Sequence, residues 1–175
     1  MARHVFVTAI VIATLLTTAS LESAQKPDEK ELAFLQRAAQ GQLAEIALGT
    51  LAVKKASRKE VKDLGTEISE DHQYASQEVK ELSASEGIYL PVQLDAEHKQ
   101  QQQRLSHLSG KAFDEAFVAS ILKNHRKDLQ EFEKNAAMLR NEKVKQWAEG
   151  ILPILTVHLK KAERVAEALG LGQAE

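Results

Sequence analysis

Cysteine is absent from the 175 residues, which excludes a disulfide framework and every thiolate metal site. Charge of one sign is lacking as well. The 23 Lys and Arg against 25 Asp and Glu leave a net charge of −2 with no basic block, so nucleic acid is not an expected partner. Gly-rich phosphate loops are missing, and no serine stands at a strand-to-helix elbow or at a useful spacing from a histidine. A nucleotide or organic cofactor and nucleophilic catalysis therefore have no sequence support, and no catalytic residue can be assigned. Aromatic residues make up only 5% of the chain and proline occurs three times, while Ala, Leu, Glu, Lys and Gln dominate. That is the composition of helices.

The one sustained apolar run, Val5 to Leu16, is about twelve residues long, short of the roughly twenty a membrane span requires. Arg3 before it and the small residues Thr17 to Ser20, Ser23 and Ala24 after it fit a signal peptide over residues 1–24. Cleavage is expected after Ala19 or Ala24, and the mature chain is expected to be periplasmic or secreted in the bacterial cell envelope, without a stable membrane span. An uncleaved anchor is the rival expectation.

Residues 28–170 read as one all-α domain. Asp28 and Glu31 have capping-box spacing. After them Leu32, Leu35, Ala39, Leu43, Ile46, Thr50 and Val53 recur at helical intervals, beside a second row of Ala38, Gly41, Leu48 and Ala52 that includes Glu45. Ser57 and Glu60 repeat the capping-box spacing, so the next helix follows almost at once and runs antiparallel to the first. Its seam is Val61, Gly65, Ile68, His72, Ala75, Val79 and Leu82, and Gly87 is placed to end it.

The stretch from Ile88 to Gly110 is an expected crossover, with an apolar patch at Ile88 to Leu94 and a short polar helix capped by Asp95. His98 and His107 on it are expected to be ordinary surface histidines. A third long helix, Lys111 to Leu139, carries Phe113, Phe117, Ile121, His125, Asp128, Phe132, Ala136 and Leu139 on one side. A fourth, capped by Asn141, carries Val144, Trp147, Ile151, Leu155, His158, Ala162, Val165 and Leu169, with Gly170 at its end. Pro153 is expected to bend it locally. The architecture expected is a four-helix bundle with a long crossover between its second and third helices.

Helix arithmetic puts Glu45 and His72 roughly 18 to 23 Å below the first tight turn, and His125 and His158 roughly 24 to 26 Å from theirs. All four groups thus share mid-height in helices about 40 Å long. A randomly placed histidine falls on an apolar stripe roughly one time in three, and a buried ring nitrogen must find a partner where a leucine would need none. Two readings follow. In one, His72, His125 and His158 ligate a divalent metal ion, with Glu45 as an oxygen ligand or an orienting partner and Asp71 and Asp128 extending the site. In the other, the same side chains form a buried hydrogen-bond network and bind no metal.

Four stretches resemble a known bacterial family: Phe34-Leu35 through Leu43-Ala44-Glu45, Asp71-His72, Asn124-His125, and Leu152-Pro153 through His158-Leu159. The sequence is similar to the ferritin-like proteins labelled domain of unknown function 4142, often called predicted outer membrane proteins. The resemblance implies a secreted, ferritin-like bundle without an established activity, and matches Glu45, His72, His125 and His158 to the family's polar core positions. Family members often carry Asp-His where this chain has Asn124-His125. The Glu-x-x-His motif of di-iron ferritins is missing, because Ser69, Leu122 and Leu155 stand three residues before the histidines. The expected function is therefore an envelope or stress-related protein with a centre of three histidines and one glutamate. A structural or interaction protein of the envelope, with a partner surface at Ile88 to Leu94, is the alternative, and a redox enzyme acting at a metal a third. A protein partner or homo-oligomer stays open.

Overall fold

A computed structural model describes residues 26–172, so the expected signal peptide lies outside the described residues. The described chain is all-helical: α1 (Glu29–Lys55), α2 (Lys59–Glu86), α3 (Ala96–Ser106), α4 (Gly110–Ala136) and α5 (Glu142–Ala168). α1 packs along α2 and α4 along α5, each pair joined by a tight turn, and the two hairpins meet through α2 with α5 and α1 with α4. α3 crosses against α1 and α4.

Caps fix most of the helix limits. Asp28 and Glu31 form the reciprocal capping box that opens α1. Asn141 caps α5 through the amides of Lys143 and Val144. Gly87, at φ 70°, ends α2 in the left-handed conformation that a side chain would disfavour. The expected box at Ser57 and Glu60 does not form, because the turn is too short and a stronger acceptor reaches it from another helix. Asp114, buried on α4, accepts from the Ser57 amide at 2.9 Å, the Ser57 hydroxyl at 2.5 Å and the Arg58 amide at 3.0 Å. The opposite end has a matching clamp: Glu31 Oε1 accepts from the Arg140 and Asn141 amides at 2.6 and 2.8 Å. Each hairpin's turn is thus held by a carboxylate near the start of the other hairpin's first helix.

The seams of α2, α4 and α5 face inward as expected. On α1 the buried face draws on both rows. Leu35 and Ala39 of the first are buried, but farther along the helix Leu48 and Ala52 of the second are buried together with Gln42, Glu45 and Gly49, whereas Leu43, Ile46 and Thr50 are half-buried and Val53 is 43% exposed. The reason is close approach: a Cβ added to Gly49 would lie 2.5 Å from the Gly65 carbonyl oxygen, so only small residues fit where α1 meets α2. α4 ends at Ala136, a turn earlier than expected, although Leu139 remains buried. α5 continues unbroken through Pro153. The crossover is tied to α1 by Gln40, which donates to the Gln93 carbonyl and accepts from the Asp95 amide. Leu90 of its apolar patch is buried while Tyr89 and Val92 stay exposed.

The apolar core comes in two clusters. One holds Phe34, Leu35, Val79, Phe132, Trp147 and Leu155; the other holds Leu48, Ile68, Phe113, Phe117, Ile121 and Ala162. Along each long helix the break between them falls at a polar residue: Gln42 and Glu45 on α1, His72 on α2, His125 on α4 and His158 on α5. A polar layer therefore crosses the middle of the molecule.

Candidate metal centre

Three helices carry one imidazole each into that layer. His72, His125 and His158 are all at most 2% exposed, and their ring centroids form a nearly equilateral triangle with sides of 5.6, 5.4 and 5.3 Å. One ligand nitrogen from each ring lies within 4.8 Å of the other two. The closest pair is His125 Nε2 and His158 Nδ1, 3.2 Å apart.

The neighbours of the rings decide which nitrogen holds the proton. Gln42 Oε1 lies 2.6 Å from His72 Nδ1, so Nδ1 donates and the lone pair is on Nε2, a buried atom with no hydrogen-bond partner. Asp71 Oδ2 lies 3.0 Å from His158 Nε2 and can only accept, which puts the His158 lone pair on Nδ1. His125 Nδ1 has no partner of good geometry, though the Ile121 carbonyl one turn earlier favours a proton on this ring. Burial lowers the proton affinity of all three rings. It drives His72 well below the ordinary imidazole value, aided by His125 and His158, and takes His125 to about 3. For His158 the Asp71 carboxylate opposes the effect of burial. Neutral imidazoles with lone pairs are the form that ligates metal ions.

Glu45 lies in the same layer at 1% exposure, but its carboxylate is not among the converging ligand atoms. Oε1 accepts from Asn124 Nδ2 at 2.9 Å and Oε2 has no partner. Burial pushes this carboxyl up to about 8, against the Asn124 hydrogen bond and with help from the nearby Asp128. Asp71 joins the centre through His158. Asp128 does not; it lines a surface groove with Tyr89 and His98, and burial raises it to about 6. His98 bonds its own helix cap, Asp95, and His107 is exposed at the end of α3.

Sequence reasoning missed Gln42 and Glu67. Gln42 stands one turn before Glu45 on the small-residue row, the signal that would have found it. Glu67, one turn before Asp71, offers a carboxylate oxygen within 4.8 Å of Asp71 and His158.

The fold and the polar layer define a class, an all-helical protein with histidines gathered in its interior. More narrowly, residues 16–165 match the family described as Domain of unknown function (DUF4142), and the chain belongs to that family. No curated protein matches the sequence. Solved structures with a similar fold include a DUF305 fragment from Deinococcus radiodurans, 16% identical with a TM-score of 0.71, covering 83% of this chain and 99% of that one. A DUF305 protein from Streptomyces coelicolor, described as a candidate secreted protein, is 10% identical with a TM-score of 0.71 over 83% and 95% of the two chains. A candidate spore coat protein from Bacillus halodurans is 13% identical with a TM-score of 0.68 over 86% and 94%. No helix among the described residues is long and apolar enough to cross a membrane.

Proposed function

We propose that this chain is an exported four-helix bundle of ferritin-like topology that binds one divalent metal ion through His72 Nε2, His125 Nε2 and His158 Nδ1. The observation that carries the reading is the pairing of convergence with tautomer: where the outward nitrogen has a partner, as on His72 and His158, that partner is an acceptor, and the lone pair is left for the interior. Such outer partners orient and strengthen metal-bound imidazoles. Tetrahedral zinc with arms of about 2.0 to 2.1 Å needs ligand nitrogens about 3.4 Å apart, close to the His125–His158 separation of 3.2 Å. Imidazole ligands suit zinc, copper, iron or nickel. We assign Glu45 the role of a neighbouring carboxyl that would give up its proton to offset the ion's charge, its oxygens lying outside the converging ligand set. The ion would supply Lewis acidity or redox chemistry, and this chain's residues would hold and orient it in a dry interior.

Metal analysis of tag-free protein tests the reading. About one equivalent of metal, lost in His72→Ala, is expected; a chain that stays metal-free when offered zinc, copper, iron and nickel overturns it. The second reading, a hydrogen-bonded core without metal in an envelope interaction protein, draws on the His125–His158 contact and on the exposure of Tyr89 and Val92. Partner capture that survives His72→Ala and fails in Tyr89→Ala would favour it. Export is supported by the sequence of residues 1–24, and a mature chain starting at Ser20 or Gln25 is the expected result of N-terminal sequencing.

A further inference from the structure

Fully buried as it is, His158 turns Nδ1 toward the interior cluster and Nε2 outward, to the α2 surface. There Glu67 and Asp71, one helical turn apart, bring a carboxylate oxygen each within 4.8 Å of the His158 ring nitrogen and of one another. Asp71 is about half exposed, so this position opens to solvent while the interior trio does not. It also already attracts a cation: the Lys161 ammonium, one turn after His158 on α5, is paired with Glu67.

From this geometry we infer a second, outer divalent-cation site made by Glu67, Asp71 and His158 Nε2, with Lys161 as the resident charge that an incoming ion displaces. Two carboxylates and one imidazole suit a hard ion such as Mn2+ better than the all-imidazole interior does. The two sites share a ring, and a neutral imidazole has one lone pair. An ion on Nε2 releases that nitrogen's proton to solvent while Nδ1 takes one up, and the new Nδ1–H points at His125 Nε2. An ion on Nδ1 uses the resting tautomer, with the proton kept on Nε2 toward Asp71. The outer and inner sites are therefore antagonistic through one side chain, and by linkage each weakens the other equally. This antagonism rests on the proposed interior centre; the outer site does not.

Mn2+ titration of the whole mature chain, followed by the electron paramagnetic resonance signal of free Mn2+, tests the proposal. One bound Mn2+ is expected in the wild type. It should be lost in Glu67→Gln combined with Asp71→Asn, bind about tenfold tighter in Lys161→Gln, and be weakened at least about tenfold by one equivalent of Zn2+. In His72→Ala, Mn2+ binding should persist while the zinc effect disappears. Folding of each variant is checked by circular dichroism; should the double variant not fold, Glu67→Gln alone is expected to weaken Mn2+ about tenfold. Absence of Mn2+ binding in both wild type and Lys161→Gln, or binding indifferent to the carboxylates, overturns the outer site. Mn2+ binding that bound zinc leaves unchanged overturns the shared ring. Failure of zinc to bind the interior in any variant would defeat the proposed function and leave the Mn2+ results to stand or fall alone.

Discussion

At the two ends of the molecule, Asp114 takes three donors from the α1–α2 turn, and Glu31 takes three from its own cap and the α4–α5 turn. In the middle layer Glu45 Oε2, His72 Nε2 and His125 Nδ1 have none. A buried polar atom without a partner is destabilising by about 1 to 3 kcal/mol, so the ends are arranged for stability and the middle is not. The difference teaches that the two kinds of buried polar group serve different purposes: the clamps define how the hairpins dock, and the central layer keeps polar atoms without partners at the expense of the fold.

Breaking an end should have the largest effect. Asp114→Ala strands three donors and should lower unfolding free energy by about 3 kcal/mol, read from urea denaturation, with Asp114→Asn intermediate. Satisfying the middle should come next. Zinc at a hundred times its dissociation constant should stabilise the wild type by about 2.7 kcal/mol and leave His72→Ala unmoved, read from the same urea denaturation. Removing the middle's polarity gives a smaller effect: in metal-free protein Gln42→Leu combined with His72→Leu should be neutral or up to about 1 kcal/mol more stable, because the hydrogen-bonded pair leaves together and the unpartnered His72 Nε2 goes with it. A clear loss of stability there would mean the layer is a satisfied network.

A separate reading of the middle layer is the shape of stability against pH in metal-free protein. His125 titrates at about 3 when folded and near 6.5 when unfolded, so the unfolded chain binds more protons between these values and stability falls as pH drops through that window. Glu45 runs the other way. Its folded value of about 8 lies above the ordinary 4.5, so the folded state holds the extra proton and stability falls as pH rises from 4.5 toward 8. Denaturation midpoints should therefore peak between these limbs, and Glu45→Gln should flatten the alkaline limb alone. An unchanged alkaline limb would show that Glu45 is not the group responsible.

Much of this was legible in the sequence where one apolar row was unopposed. On α2, α4 and α5 a single seam fixes the buried face, and the seam contains the histidine, so the shared height followed from counting residues from each turn. On α1 two rows left the buried face open, and beyond its first turns the smaller row takes it: backbone proximity at Gly49 and Gly65 favours small side chains, a tertiary effect that periodicity does not register. The same holds for Ser57, whose local capping pattern yields to Asp114, 57 positions away. Ring orientation was beyond reach for a related reason. Spacing says which face His158 occupies, but its tautomer depends on Asp71 from another helix.

The near-contact of Gly49 with Gly65 also bears on how the proposed centre would accommodate ions of unequal radius. With main chains pressed together close to the imidazole layer, α1 and α2 have no slack, so Gln42 and His72 form a fixed post. Whatever compliance the centre has must reside in α4 and α5, and changes of coordination should be felt at His125 and His158 while the Gln42–His72 contact stays as it is.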